Sequence, residues 1–145
     1  MKIIVALVVV AAVAIGGFFV FEYFDHRDKV QAAKRACGSS LVPTPGVALP
    51  AGLAFTLPPG QTLLSVAKQG KTEIIFAITP GNREDLVTLR DKVVSALKGQ
   101  GYTASATDQE PTYEAEGQFS GKASGTIQVQ PECEGYNRIR YKFNL

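Results

Sequence analysis

The sequence is poor in the residues that most often carry catalysis. It contains one histidine, two cysteines, one methionine and no tryptophan in 145 residues. The lone histidine, His26, has no second histidine and no cysteine pair at metal-ligand spacing, which argues against a zinc site. Ser39, Ser40 and Ser65 have no histidine in the folded part of the chain to activate them as nucleophiles. We therefore expect a protein that is not an enzyme and that uses no metal and no cofactor.

An excess of charge of one sign is also missing. Fifteen basic and thirteen acidic residues give a net charge of +2, which is too small to indicate binding to a nucleic-acid backbone. Within residues 138–142, Tyr141 is expected on the opposite strand face from the basic side chains, whereas a base-stacking surface needs both kinds together. The glycine-rich stretch 117–125 does not follow the patterns of phosphate-binding loops. No nucleic-acid partner is expected.

Charge is absent altogether between residues 3 and 21, where every side chain is apolar or small. A helix of about 20 such residues spans the hydrocarbon core of a bilayer. The apolar region of a cleaved signal peptide is shorter, and cleavage after Ala14 would leave the aromatic residues of 18–24 exposed to water. Tyr23 and Phe24 suit the headgroup zone. We predict a retained transmembrane signal anchor over residues 1–24, with the lipid bilayer as a partner.

The signals for the orientation of this anchor conflict. Four basic residues follow the apolar run: Arg27, Lys29, Lys34 and Arg35. They would place the rest of the chain in the cytoplasm by the positive-inside rule. Cys37 and Cys133, however, lie at opposite ends of the soluble part, and an even count able to form one bridge suits an oxidising compartment. Two free thiols are the alternative. We favour an extracytoplasmic domain with a Cys37–Cys133 disulfide.

Three segments follow the anchor. Residues 25–40 are predicted to form a polar juxtamembrane helix because they are rich in charged residues and alanine, a strong helix former. Residues 41–60 contain five prolines, which exclude a helix or a central strand and indicate a semi-extended linker. The apolar residues of this linker suggest that part of it lies against the domain. Residues 61–145 can form one small soluble domain.

Periodicity in residues 61–145 predicts the element order β-β-α-β-β-β-β. Residues 62–68 and 72–79 are predicted to be strands joined by a tight turn. An amphipathic helix is predicted from the N-cap Asn82 to Gly99, with Arg90 outside its apolar face. Four alternating segments follow it. One helix covers one face of such a sheet, so the fold class is predicted to be α+β: a single N-terminal transmembrane helix followed by a small two-layer domain with one helix packed on an antiparallel sheet.

Charged side chains are expected on the sheet face that the helix leaves open. The candidate residues are an acidic row, Glu114 and Glu116, and a basic row on the last strand, Arg138, Arg140 and Lys142, opposite Ile139, Tyr141, Phe143 and Leu145. The two rows can form a recognition surface. Carboxylates at positions i and i+2 lie about 7 Å apart along a strand, which alone defines no catalytic mechanism. The simpler interpretation is a solvated face whose cross-strand pairs each contribute a few tenths to about 1 kcal/mol.

Taken together, these features favour a single-pass protein of the cell membrane. Its small extracytoplasmic domain would act as an accessory or scaffold subunit that makes protein–protein contacts in a membrane or envelope complex. The alternative is a membrane-tethered module that binds a small ligand or a cell-envelope polymer. A subunit of the first kind should co-purify with membrane proteins in mild detergent, whereas a ligand module should have a concave pocket lined by polar groups.

Overall fold

The computed structural model describes residues 42–145, which form an antiparallel sheet and one helix in the predicted order. The elements are β1 (Thr62–Gln69), β2 (Thr72–Pro80), a 3-10 turn (Arg83–Asp85), α1 (Leu86–Gly99), β3 (Thr103–Glu110), β4 (Glu114–Ser120), β5 (Ser124–Cys133) and β6 (Tyr136–Asn144). This arrangement confirms the α+β domain. The predicted anchor, 1–24, and the polar helix, 25–40, lie outside the described residues. Within residues 42–145, no helix combines the length and apolar composition that crossing a membrane requires.

The six strands form one sheet in the order β1-β2-β6-β5-β4-β3, with every neighbouring pair antiparallel. β6 lies between β2 and β5, so the last strand of the chain joins the first hairpin to the remaining three strands. Three of its side chains, Ile139, Tyr141 and Phe143, are fully buried, as their alternation predicts. Leu145 was expected to join them but is 58% exposed. It follows Asn144, the last residue of the ladders with both neighbouring strands.

The helix α1 covers only half of one sheet face. It packs on β3, β4 and β5 through an apolar side that includes Leu86, Val93 and Leu97. At Gly117 of β4, a Cβ atom would lie 3.4 Å from a methyl group of Val94 on the helix and 3.0 Å from the Ser105 carbonyl oxygen on β3, so the tighter contact is with the neighbouring strand. The helix therefore leaves β1, β2 and part of β6 to be covered by something else.

The proline-rich segment supplies that cover. Residues 42–60 contain no helix or strand, but Phe55 is 4% exposed and its ring lies 4.9 Å from Tyr141 and 5.1 Å from Phe143 between centroids. Backbone groups of the segment are fixed as well, since the Tyr102 hydroxyl donates to the Ala54 carbonyl at 2.8 Å. The folded unit thus begins before residue 61, and a large part of the predicted linker belongs to it.

Candidate interaction face

The sheet face opposite α1 carries the predicted site residues, and we call it the open face. Alternation along the strands places on it a set of mainly polar side chains: Glu114, Glu116 and Gln118 from β4, Thr126, Gln128 and Gln130 from β5, Arg138, Arg140 and Lys142 from β6, and Ile74, Phe76 and the buried Ile78 from β2. Their strand neighbours in sequence, such as Ala115, Val129 and Ile139, are fully buried on the helix side. No helix or strand within residues 42–145 covers the open face.

Strand order divides the open face into four parallel stripes. Residues that pair across neighbouring strands lie at one level of the sheet. One such level contains, in strand order, Glu116, Gln128, Arg140 and Phe76. The stripes are therefore acidic on β4, amide on β5, basic on β6 and apolar on β2. Neighbouring strands lie about 4.8 Å apart, so the acidic and basic rows are separated by roughly 10 Å. The structure places the predicted rows on one face but keeps them from pairing directly.

The amide stripe holds the acidic row in place. Gln128 donates from Nε2 to Glu114 Oε2 at 2.9 Å and to Glu116 Oε1 at 3.1 Å. Gln130 donates from Nε2 to the same Glu114 oxygen at 3.1 Å. Sequence analysis missed both glutamines because they carry no charge. Their spacing on an alternating strand was the available signal, but it became informative only with the strand register.

The basic row is only partly satisfied. Arg138 donates from Nη2 to Gln130 Oε1 at 3.3 Å, and its Nε lies 3.2 Å from Glu132 Oε2. The guanidinium carbon of Arg138 also lies 6.0 Å from the ring centroid of Phe76. The side chains of Arg140 and Lys142, by contrast, make no hydrogen bond or ion pair in the part of the chain that the structure describes. Two cationic groups are thus available beside a half-buried apolar stripe.

Two clefts flank the stripes. One, of about 380 Å³, is lined mainly by hydroxyl and amide side chains at one end of the open face: Thr103, Ser105, Gln118, Ser120, Ser124, Thr126 and Asn144. The other, of about 320 Å³, lies at the opposite end of the basic row, where Val42 and Thr44 approach Phe76, Glu132 and Arg138. The first is lined mainly by uncharged polar side chains. The second is bordered by the proline-rich segment.

Cys133 lies directly after Glu132 and is buried, with 7% of its surface exposed. The described residues include no free cysteine. Its predicted partner, Cys37, lies outside the described residues, so the pairing stays a prediction. Val42 shares a cleft with Glu132, and the five steps from residue 37 to residue 42 can span at most about 18 Å.

Arg90 was predicted outside the apolar side of the helix but is 5% exposed. Its Nη1 donates to the carbonyl oxygens of Asp108 at 3.2 Å and Glu116 at 3.3 Å. Its Nη2 donates to Gln109 Oε1 at 3.2 Å, and its Nε lies 2.8 Å from Asp91 Oδ1. The side chain thereby ties α1 to the irregularity in β3, where the register with β4 shifts between Ala106 and Gln109. Periodicity identified an arginine at the helix surface but could not identify the carbonyl groups that it meets.

Two tyrosines and one asparagine are also buried. Burial raises the pKa of Tyr141, whose hydroxyl donates to Gln61 Oε1 at 2.8 Å, and burial also raises the pKa of Tyr102. Asn137 donates from Nδ2 to the Asn82 carbonyl at 3.0 Å, while its buried Oδ1 accepts no hydrogen bond from the described residues. Among residues 42–145, no three His, Cys, Asp or Glu side chains are placed to hold a metal ion.

Comparison with known proteins adds no relative. No protein-family model matches the chain, and neither the curated proteins nor the solved structures gave a match.

Proposed function

We propose that this protein is a single-pass, membrane-anchored accessory or scaffold subunit. Its small α+β domain lies on the extracytoplasmic side and makes protein–protein contacts in a membrane or envelope complex through the open face. The observation that carries the proposal is a pair of cationic side chains, Arg140 and Lys142, that have no hydrogen-bond or ion-pair partner among residues 42–145. They lie beside the half-buried Ile74 and Phe76. Arginine and aromatic residues are enriched in protein interfaces.

The fixed geometry of the neighbouring side chains supports the same function. Gln128 and Gln130 restrain the acidic row, and Glu132 together with the ring of Phe76 restrains Arg138. Binding costs conformational entropy for each side chain that it immobilises, about 0.5–1.5 kcal/mol for a flexible one. Side chains already held in the free domain lose less of it, which favours recognition over a merely solvating role.

The membrane part of the proposal is supported by sequence. Residues 3–21 carry no charge and match the length of a spanning helix, and the two cysteines suit an oxidising compartment. N-terminal sequencing of protein extracted from membranes should begin at or next to Met1. Soluble material with a mature start beyond Ala14 would contradict the anchor.

Affinity purification of the full chain in mild detergent, followed by quantitative mass spectrometry, tests the role of the face. The variant R140E/K142E should lose the captured membrane proteins. The control K92E/K98E makes the same change in net charge on exposed positions of α1 and should retain them. Equal capture by both variants, with unchanged thermal unfolding, would show that the open face is not the binding surface.

A second candidate function is a tethered module for a small ligand or a cell-envelope polymer. The observation in its favour is the hydroxyl- and amide-lined cleft of about 380 Å³, whose chemistry suits a neutral, hydroxyl-rich ligand. NMR of the full chain in detergent, titrated with soluble cell-envelope oligosaccharides, tests it. Saturable shifts that disappear in Ser105→Leu but persist in R140E/K142E would favour this alternative over the subunit.

A further inference from the structure

The stripes on the open face are arranged antisymmetrically about β5. On one side of this strand lies the acidic row of β4, and on the other side lies the basic row of β6. The arrangement repeats at successive levels along the strands. Glu116, Gln128 and Arg140 occupy one level. Glu114, Gln130 and Arg138 occupy the next, where they are joined by hydrogen bonds of 3.1 Å and 3.3 Å.

Such a surface is complementary to itself. A rotation of 180° about an axis parallel to β5, placed just above the open face, keeps each residue at its level along the strand and exchanges the two sides. The β4 strand of one copy then lies over the β6 strand of the other. Glu116 of each copy faces Arg140 of the other copy. The interface therefore contains this residue pair twice, as an isologous interface requires.

We propose that the open face binds a second copy of this chain, face to face, about this two-fold axis. The inference rests on the proposed function, because it names the partner of the same face. It gives Arg140 a carboxylate partner, which residues 42–145 of its own chain do not supply. Strands remain aligned between the two sheets, as in sandwiches, where facing sheets pack about 10 Å apart with their strands within about 30°. Phe76 then lies over β3 of the other copy.

The first test uses cross-linking of β5 residues, which lie next to the proposed two-fold axis. Gln128 faces its own equivalent across the interface, whereas Gln118, on β4, faces β6 of the other copy. Q128C and Q118C, each in the full chain in mild detergent, are treated with a bismaleimide that spans about 10 Å, the distance between facing sheets. Mass mapping should find a peptide pair joined through two copies of residue 128 and none joined through two copies of residue 118. Linkage at 118 alone, or at neither position, would overturn the proposed axis.

The second test exchanges the charges of facing residues. Dimer formation is followed by light scattering, which gives the molar mass of the full chain in mild detergent over a dilution series. R140E and E116R each place like charges face to face and should weaken the dimer by at least about tenfold. The double variant E116R/R140E restores opposite charges across the interface and should recover most of the affinity. A double variant as weak as either single variant, with unchanged thermal unfolding, would rule out the pairing of Glu116 with Arg140.

The same experiments separate this inference from the proposed function. A parent chain that stays monomeric at every concentration, yet captures other membrane proteins in a manner that R140E/K142E abolishes, would refute self-association and leave the subunit role standing. A dimer that forms as described while no other protein is captured would support the inference and contradict membership in a larger complex. Loss of neither capture nor dimer in R140E/K142E would contradict both.

Discussion

Glu114 and Arg138 lie at one level of the sheet without touching, because Gln130 stands between them and hydrogen-bonds to both, at 3.1 Å and 3.3 Å. The Gln130 side chain donates from its amide nitrogen to the Glu114 carboxylate and accepts at its amide oxygen from the Arg138 guanidinium. Opposite charges on neighbouring strands would neutralise each other, but one intervening strand keeps them apart. The open face therefore presents its negative and positive rows outward, which is the property that an interface based on charge complementarity requires.

Removal of residues 139–145 should unfold the domain. The truncation deletes Ile139, Tyr141 and Phe143, which are all fully buried, and it separates β2 from β5. Burial of each large apolar side chain contributes about 1.5–3 kcal/mol, so the loss rivals the roughly 5–15 kcal/mol that stabilises a small domain. Circular dichroism of the chain that ends at Arg138, in mild detergent, should show no cooperative melting of the sheet.

Two substitutions in the same C-terminal segment serve as controls. Lys142→Ala and Leu145→Ala alter exposed side chains and should each change the free energy of unfolding by less than about 0.5 kcal/mol. Melting of the truncated chain near the parent temperature would mean that β6 is not central to the sheet.

Period-two alternation was sufficient to predict β6 and the other strands, because side-chain direction along a strand depends on the local backbone alone. The same rule placed Glu114 and Arg138 on one face. It could not predict that Gln130 would stand between them, since strand order arises from long-range pairing. The burial of Phe55 was equally hidden, because proline excludes regular structure without excluding contact with the core.

Arg90→Ala should destabilise the domain by about 2–3 kcal/mol, because it removes the hydrogen bonds that the buried, charged guanidinium donates to the carbonyl oxygens of Asp108 and Glu116. Lys92→Ala, at an exposed position of the same helix, should change stability by less than about 0.5 kcal/mol. Hydrogen exchange should accelerate most in β3 and at its junction with β4. Uniform acceleration across all six strands would indicate that Arg90 does not act through the β3 irregularity.

Gly125→Ala should be among the most disruptive single-methyl additions in the domain. A Cβ atom there would overlap the carbonyl oxygen of Lys142 and lie 2.5 Å from the ring of Phe119, and overpacking of this kind costs about 1–3 kcal/mol or more. Gly99→Ala is the matched control, because its Cβ would meet nothing within 4 Å. In the last residue of α1, that change should be neutral or stabilising by up to about 1 kcal/mol. The unfolding temperature should therefore fall in Gly125→Ala and stay the same or rise in Gly99→Ala.

A Cys37–Cys133 disulfide should be found by non-reducing mass mapping of freshly isolated protein. In the chain-entropy model, closing a loop of roughly 100 residues contributes about 4–5 kcal/mol. Cys37→Ser should then lower the unfolding temperature of oxidised protein, and a reductant should lower that of the parent to the same value. Free thiol at both positions, labelled only from the cytoplasmic side, would refute the bridge and reverse the proposed orientation.

Stability at alkaline pH should depend on Tyr141. Burial raises the pKa of this hydroxyl in the folded state, whereas in the unfolded chain it ionises near the ordinary pKa of about 10. Above that pH, the folded state holds a proton that the unfolded state has lost, so the free energy of unfolding falls as pH rises, by up to about 1.4 kcal/mol per pH unit for one such tyrosine. Below about pH 10, the contribution is fully present.

The variant Tyr141→Phe separates the two roles of the hydroxyl. At neutral pH it should lose about 0.5–1.5 kcal/mol, the value of the hydrogen bond to Gln61. Above pH 10 its stability should fall less steeply than that of the parent, so the two curves should converge as pH rises. Tyr102→Phe gives a second, independent comparison, because burial also raises the pKa of Tyr102. Parallel curves for the parent and Tyr141→Phe between pH 9 and 11 would mean that Tyr141 ionises as readily in the folded protein as in the unfolded chain.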